Sequence, residues 1–199
     1  MPRLDPMAEP PSTSTVWNLP NGLTMLRLAL VPVFVAALSR SDGGDGWRYG
    51  AAVVFLFASI TDFVDGDLAR RRGQVTTFGK VADPIADKAL TGAALIGLSV
   101  LGELPWWVTV VIVVREVGVT VLRFWVIEHG VIPASRGGKL KTLLQIVAIL
   151  MYLWPLPDGA DWIAESLMVV AVVVTVVTGV DYAVRAARLR RAAATPGTP

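Results

Sequence analysis

Residues Thr61–Lys88 read TDFVDGDLARRRGQVTTFGKVADPIADK and join the end of one apolar segment to the start of the next. At positions i, i+3, i+4, i+7 and i+8 of one helical face, the first part carries Asp62, Asp65, Gly66, Ala69 and Arg70. At positions i, i+4 and i+8 of a second helix, the stretch carries Gly79, Asp83 and Asp87. With a turn at Gln74–Thr77, an antiparallel pair of helices would bring four carboxylates together, and Asp67 lies off that face.

These clustered carboxylates predict a site for hard divalent cations. Ionised carboxylates at membrane depth are costly unless cations compensate them, and oxygen ligands suit Mg²⁺, Mn²⁺ or Ca²⁺. The chain has no cysteine and one histidine, His129, which argues against thiolate or multi-histidine metal sites and against a Ser-His-Asp triad. Two metal ions held by carboxylates form a clamp suited to transfer at phosphorus.

Outside this stretch the chain is strongly apolar. Its 199 residues are 54% hydrophobic and 17% charged, with a mean hydropathy of +0.59, which argues against disorder and against a soluble nucleic-acid binder. Apolar segments of membrane-spanning length cover 22–40, 48–70, 84–103, 105–127, 140–156 and 162–184. Because a backbone in lipid must satisfy its own hydrogen bonds, we expect an all-α, polytopic integral membrane protein with six transmembrane helices.

The ends of the chain and its charges predict the domain organisation and the topology. Residues 1–16 and 192–199 are expected to be flexible tails around a six-helix catalytic domain at 17–191. Basic residues collect on one side of the predicted spans, so the positive-inside rule puts both termini in the cytoplasm. We therefore expect a multi-pass protein of the plasma (inner) membrane with its active site at the cytoplasmic side.

The carboxylate stretch resembles the signature of the CDP-alcohol phosphatidyltransferases. The pattern is D-x2-D-G-x2-A-R-x8-G-x3-D-x3-D, and all eight of its letters are present. The resemblance covers roughly residues 18–185. It implies a six-helix membrane protein, often a homodimer, that moves a phosphatidyl group from a CDP-linked lipid to an alcohol and releases CMP.

Carried over position by position, the resemblance implies roles for the eight residues. Two Mg²⁺ or Mn²⁺ ions would be bound by Asp62, Asp65, Asp83 and Asp87. Asp87 would also be the general base. The cytidine diphosphate site would be lined by Gly66, Ala69, Arg70 and Gly79. From the residues alone, the small side chains equally suit close packing of two membrane helices, and Arg70 equally suits an inner-side topogenic charge.

Three further stretches bear on the acceptor: 18–27 (NLPNGLTMLR), 115–123 (REVGVTVLR) and 138–145 (GKLKTLLQ). Together they resemble the branch of the family that uses sn-glycerol 3-phosphate. That branch carries N-x-P-N, R-E-x3-T-x2-R and G-K-x-K-T-x2-Q. The resemblance implies that the acceptor phosphate is bound by Arg115, Arg123, Lys139 and Lys141. Many members have Phe and Gly where this chain has Val117 and Val121.

The basic residues have other readings on their own. Two arginines eight apart suit an anionic substrate, but an intramembrane Arg–Glu pair with one snorkelling arginine explains the same pattern. The two lysines equally suit inner-side positive charges.

The expected activity is transfer of the phosphatidyl group of CDP-diacylglycerol to sn-glycerol 3-phosphate. The acceptor hydroxyl would attack the β-phosphorus with metal assistance. The alternatives are a sibling with another acceptor (a cardiolipin synthase or an inositol-phosphate transferase), a membrane prenyltransferase with an aspartate-rich metal site, and a divalent-cation transporter.

Overall fold

The computed structural model describes residues 19–72, 77–126, 136–157 and 159–194. The side chains of 62–72, 77–84 and Asp87 lie outside this description, as do some at the segment ends. The helices are α1 Leu19–Leu38, α2 Asp45–Arg72, α3 Thr77–Val100, α4 Trp106–Val126, α5 Arg136–Leu153 and α6 Asp161–Ala194. A short 3-10 turn covers Ser41–Gly43. Within these ranges the predicted six helices in the predicted order are confirmed.

The helix ends differ from the apolar segments. Helix α3 begins at Thr77, before the predicted start at 84, and α6 continues to Ala194, beyond the predicted end at 184. Hydropathy marks only the apolar part of a helix, whereas the Ala, Arg and Leu residues of 185–194 favour helix without being apolar throughout. The last residues of α6 were predicted to be tail. The predicted tail at 1–16 and residues 195–199 lie outside the described residues.

The core forms where α1 packs on α2 and α3, and where α5 packs on α6. The rings of Phe34 and Phe55 lie 5.8 Å apart between α1 and α2. Fully buried alanines, including Ala94 and Ala171, remove side-chain bulk and allow helices to approach closely. Helix α4 packs mainly on α6, which carries α4 to the side of the site described below.

Large apolar side chains also cover the outside of the molecule. On α4 the exposed positions at i, i+4, i+7 and i+11 are Val110, Val114, Val117 and Val121. On α6 the same spacing is filled by Val169, Val173, Val176 and Val180. Continuous apolar faces of this kind are rare on soluble monomers and suit contact with lipid.

Among the described residues, one helical segment is long and apolar enough to cross a membrane on length and composition. It is Asp161–Arg190, with 30 residues and a mean hydropathy of 2.3, and the segments Gly22–Leu38 and Lys88–Val100 are apolar but shorter. Helix α4 has sufficient length but carries the charges of Arg115, Glu116 and Arg123. The six spans therefore remain a prediction.

An ion pair joins three elements at the ends of α3 and α5 that lie opposite the aspartate stretch. Arg48 of α2 donates to both carboxylate oxygens of Glu103, at 2.6 and 2.7 Å, and to the Tyr152 carbonyl at 2.7 Å. Glu103 belongs to the α3–α4 turn and Tyr152 to α5. The pair neutralises a basic residue on the side where the sequence predicts few of them.

We expect Arg48→Lys to lower the free energy of unfolding by about 2 kcal/mol, since an ammonium cannot reproduce the planar two-nitrogen contact. The measurement is the thermal midpoint of the purified protein in detergent micelles. Arg40→Lys is the matched control, because Arg40 is exposed and donates to the Ala36 carbonyl of its own helix. Equal midpoints for the two variants would show that the three-element contact does not stabilise the fold.

Candidate active site

The eight signature residues lie on two consecutive helices that pack on each other. Asp62 and Asp65 belong to α2, and Asp83 and Asp87 belong to α3. The backbone therefore keeps the predicted helical spacings. The side chains lie outside the description, as do residues 73–76, where most of the predicted turn falls, so the metal set and the CDP site stay predictions. As donor chemistry, four carboxylates on adjacent helices fit a hard divalent cation.

A cluster of charges lies beside the Asp87 end of α3. The Glu116 carboxylate of α4 accepts from Lys88 of α3 at 3.4 Å, from Arg115 at 3.1 Å, and from Lys141 of α5. We call these four residues the Glu116 cluster. Its three cations and one carboxylate leave a surplus of positive charge in a largely buried place. Such a place suits an anionic ligand.

Helix α6 holds the Arg115 side chain in position. Its Nε donates to the Thr175 carbonyl at 3.0 Å, and a terminal nitrogen donates to the Thr178 hydroxyl at 2.9 Å. Gly179 provides the space, because a Cβ there would lie 2.9 Å from Arg115 Cγ. The guanidinium is therefore oriented by one helix while it contacts Glu116 on its own.

The four predicted acceptor residues do not form one cluster. Arg115 and Lys141 meet at Glu116, whereas Arg123 and Lys139 are exposed. Arg123 lies two helical turns from Arg115, about 12 Å along α4. Lys139 and Lys141 point to different sides of α5, as a spacing of two residues requires.

A cavity of about 190 Å³ lies between α3, α4 and α5. Its polar lining consists of Lys88, Thr91, Glu116, Lys141, Thr142 and Gln145. Its apolar lining includes Leu95, Ile96, Ile112 and Ile146, further along each helix from the charged end. The α3 wall starts one residue after Asp87, so the cavity adjoins the signature stretch.

Comparison with known proteins decides the family. The family model described as CDP-alcohol phosphatidyltransferase matches residues 17–177. The chain belongs to the CDP-alcohol phosphatidyltransferase family. The match covers all of α1 to α5 and the part of α6 that holds Arg115.

Relatives of this CDP-alcohol phosphatidyltransferase carry specific names. A probable phosphatidylglycerophosphate synthase of Mycobacterium tuberculosis (strain H37Rv) is 56% identical over 86% of this chain and 82% of its own length. A CDP-diacylglycerol–glycerol-3-phosphate 3-phosphatidyltransferase of Bacillus subtilis is 39% identical over 84% of this chain and 94% of its own. The protein of that name from Escherichia coli K12 is 36% identical over 83% and 93%.

The sequence reasoning missed several residues of the site in this family member. Lys88 and Gln145 were not predicted as site residues, and Glu116 was considered only as a partner for Arg115. The available signals were a carboxylate within an apolar segment, a lysine next to Asp87 and a glutamine at the end of the 138–145 stretch. No signal in the sequence pointed to Gly179, because its role depends on how α6 packs on α4.

Proposed function

We propose that this chain transfers the phosphatidyl group of CDP-diacylglycerol to sn-glycerol 3-phosphate, giving phosphatidylglycerophosphate and CMP. The observation that carries the proposal is the Glu116 cluster, a buried surplus of positive charge beside the Asp87 end of α3. The names of the relatives support the same acceptor.

In the proposed reaction, Asp87 accepts the proton of the acceptor's 1-hydroxyl as its oxygen attacks the β-phosphorus. A new phosphorus–oxygen bond forms, the bond to the CMP oxygen breaks, and CMP leaves with the electron pair. Mg²⁺ or Mn²⁺, held by Asp62, Asp65, Asp83 and Asp87, would neutralise the charge of the diphosphate. Gly66, Ala69, Arg70 and Gly79 would line the site of the CDP group.

For the acceptor, we assign the phosphate to the charged end of the cavity. Lys141 lines the cavity and is buried, so its charge acts where water is largely excluded. Arg115 adds charge there in an orientation fixed by α6. The exposed Arg123 and Lys139 would attract the anion to the cytoplasmic surface before it binds.

The proposal includes six transmembrane helices, a cytoplasmic active site in the plasma membrane and a homodimer. The exposed valine faces of α4 and α6 support contact with a bilayer. With the acyl chains of CDP-diacylglycerol in lipid, its diphosphate would meet the protein at headgroup level.

The first experiment measures CMP release by purified protein from CDP-diacylglycerol with Mg²⁺ and one acceptor at a time. The panel contains sn-glycerol 3-phosphate, myo-inositol 1-phosphate and phosphatidylglycerol. Release with glycerol 3-phosphate alone, stopped by a chelator and restored by Mg²⁺, is the expected result. Release with only another acceptor would overturn the acceptor assignment and leave the reaction type standing. Absence of release with all three would contradict the transferase proposal.

We expect Gly179→Ala to raise the KM for glycerol 3-phosphate about tenfold, because the new methyl group displaces Arg115 and a loss of about 1.4 kcal/mol in binding is a factor of ten. The measurement is the pair of KM and kcat values in the CMP-release assay. Gly118→Ala is the matched control, since a Cβ at Gly118 meets no atom within 4 Å among the described residues. The same KM in both variants would contradict the assignment of Arg115.

A further inference from the structure

Gln145 of α5 is a buried amide without a matching contact. Its side chain is 3% exposed and lines the cavity, and its Nε2 atom has no hydrogen-bond partner among the described residues. Buried amide donors are nearly always satisfied, because burying one unpaired costs free energy. A donor of this kind at a cavity wall indicates a ligand with an acceptor atom.

The surroundings of Gln145 limit the chemistry of that ligand. Lys88 and Lys141 lie at one end of the cavity, where an anionic group is favoured. The Thr142 hydroxyl also lines the cavity and already donates to the Gly138 carbonyl at 3.2 Å, so towards a ligand it acts as an acceptor. A volume of about 190 Å³ holds more than a single water molecule. The lining therefore fits a small phosphate that carries hydroxyl groups.

The spacing along the helices sets an order for those groups. Gln145 lies one turn after Lys141 on the same side of α5, about 6 Å along the axis. On α3, Thr91 lies one turn after position 87. A phosphate beside Lys141 would place the next part of a short polyol chain near the Gln145 amide.

We propose that Gln145 determines acceptor specificity by donating a hydrogen bond from Nε2 to the secondary hydroxyl oxygen of the bound polyol phosphate. This contact lowers the nucleophilicity of that oxygen and leaves the primary hydroxyl to attack phosphorus. The inference rests on the proposed function, because it assumes that the cavity receives the acceptor.

The test removes each partner of the proposed bond in turn. The substrates are sn-glycerol 3-phosphate and 3-hydroxypropyl phosphate, which lacks only the secondary hydroxyl. We expect the wild-type kcat/KM to favour glycerol 3-phosphate about ten- to hundredfold, since the analogue leaves the amide unpaired. In Gln145→Met, which keeps the length and removes the amide, we expect the ratio to fall to about one.

Controls separate specificity from folding. Ile146→Leu changes the next cavity residue at constant volume, and we expect it to keep the wild-type ratio. Gln145→Met is expected to keep or raise the thermal midpoint, because it removes an unpaired buried donor. If it fails to fold, Gln145→Leu gives the same comparison.

The outcomes are distinct. An unchanged ratio in an active, folded Gln145 variant overturns this inference, since a merely structural role would weaken both substrates equally. A wild-type enzyme that does not distinguish the two substrates also overturns it. No CMP release by the wild type with glycerol 3-phosphate contradicts the proposed function itself.

Discussion

Asp87→Asn is expected to lower kcat for CMP release more than about a hundredfold, because an amide cannot accept the proton that general-base catalysis transfers. Position 87 lies on α3 directly before Lys88, which contacts Glu116, and one turn before the cavity residue Thr91. The substitution keeps the shape of the side chain, so nucleotide binding is expected to survive largely intact. The measurements are single-turnover CMP release and binding of CDP at equilibrium.

Asp67→Asn is the matched control for this prediction. Asp67 lies in the same carboxylate stretch but off the face shared by Asp62 and Asp65. We expect wild-type kcat in this variant. Full activity in Asp87→Asn would remove Asp87 from the role of base, and equal losses in both variants would point to a general effect of charge.

Glu116→Gln is expected to lower the free energy of unfolding by about 3 kcal/mol. The substitution leaves Lys88, Arg115 and Lys141 without their shared carboxylate, and removing one partner of a buried ion pair costs about that much. The measurement is the thermal midpoint in detergent micelles without substrate. Because anions bind a cluster of uncompensated cations, added inorganic phosphate is expected to raise the midpoint of the variant more than that of the wild type.

Glu165→Gln on α6 is the control, since Glu165 is exposed and its substitution is expected to leave the midpoint unchanged. Glu116→Asp keeps the charge on a shorter side chain and should lie between wild type and Glu116→Gln. An unchanged midpoint in Glu116→Gln, with no added effect of phosphate, would show that the three cations do not depend on Glu116.

The helices could be predicted because apolar length is a local property of the sequence. Each of the six apolar segments corresponds to a helix within the described residues. The helix ends were less accessible: Ala194 ends α6 because residues after Val184 continue to favour helix although they are not apolar. The signature aspartates could be placed on one face of each helix because spacing fixes that face.

The contacts between helices could not be predicted from spacing. Glu116 meets Lys88 and Lys141 only because α3, α4 and α5 have particular rotations about their axes, which no local pattern fixes. The same holds for Arg115, whose spacing predicts an anion-binding residue and whose side chain also bonds to Thr175 and Thr178. Gln145 became a candidate only when its burial and its place at the cavity were known.

The central claim is transfer of a phosphatidyl group to sn-glycerol 3-phosphate, and the most direct measurement follows the acceptor itself. Purified protein is incubated with CDP-diacylglycerol, Mg²⁺ and glycerol 3-phosphate labelled in its carbon chain, and the lipid phase is extracted. The account predicts one labelled lipid, phosphatidylglycerophosphate by mass, formed in equal amount to CMP and absent in Asp87→Asn. CMP release without label in the lipid would contradict the account, because the phosphatidyl group would then have gone to water or to another acceptor.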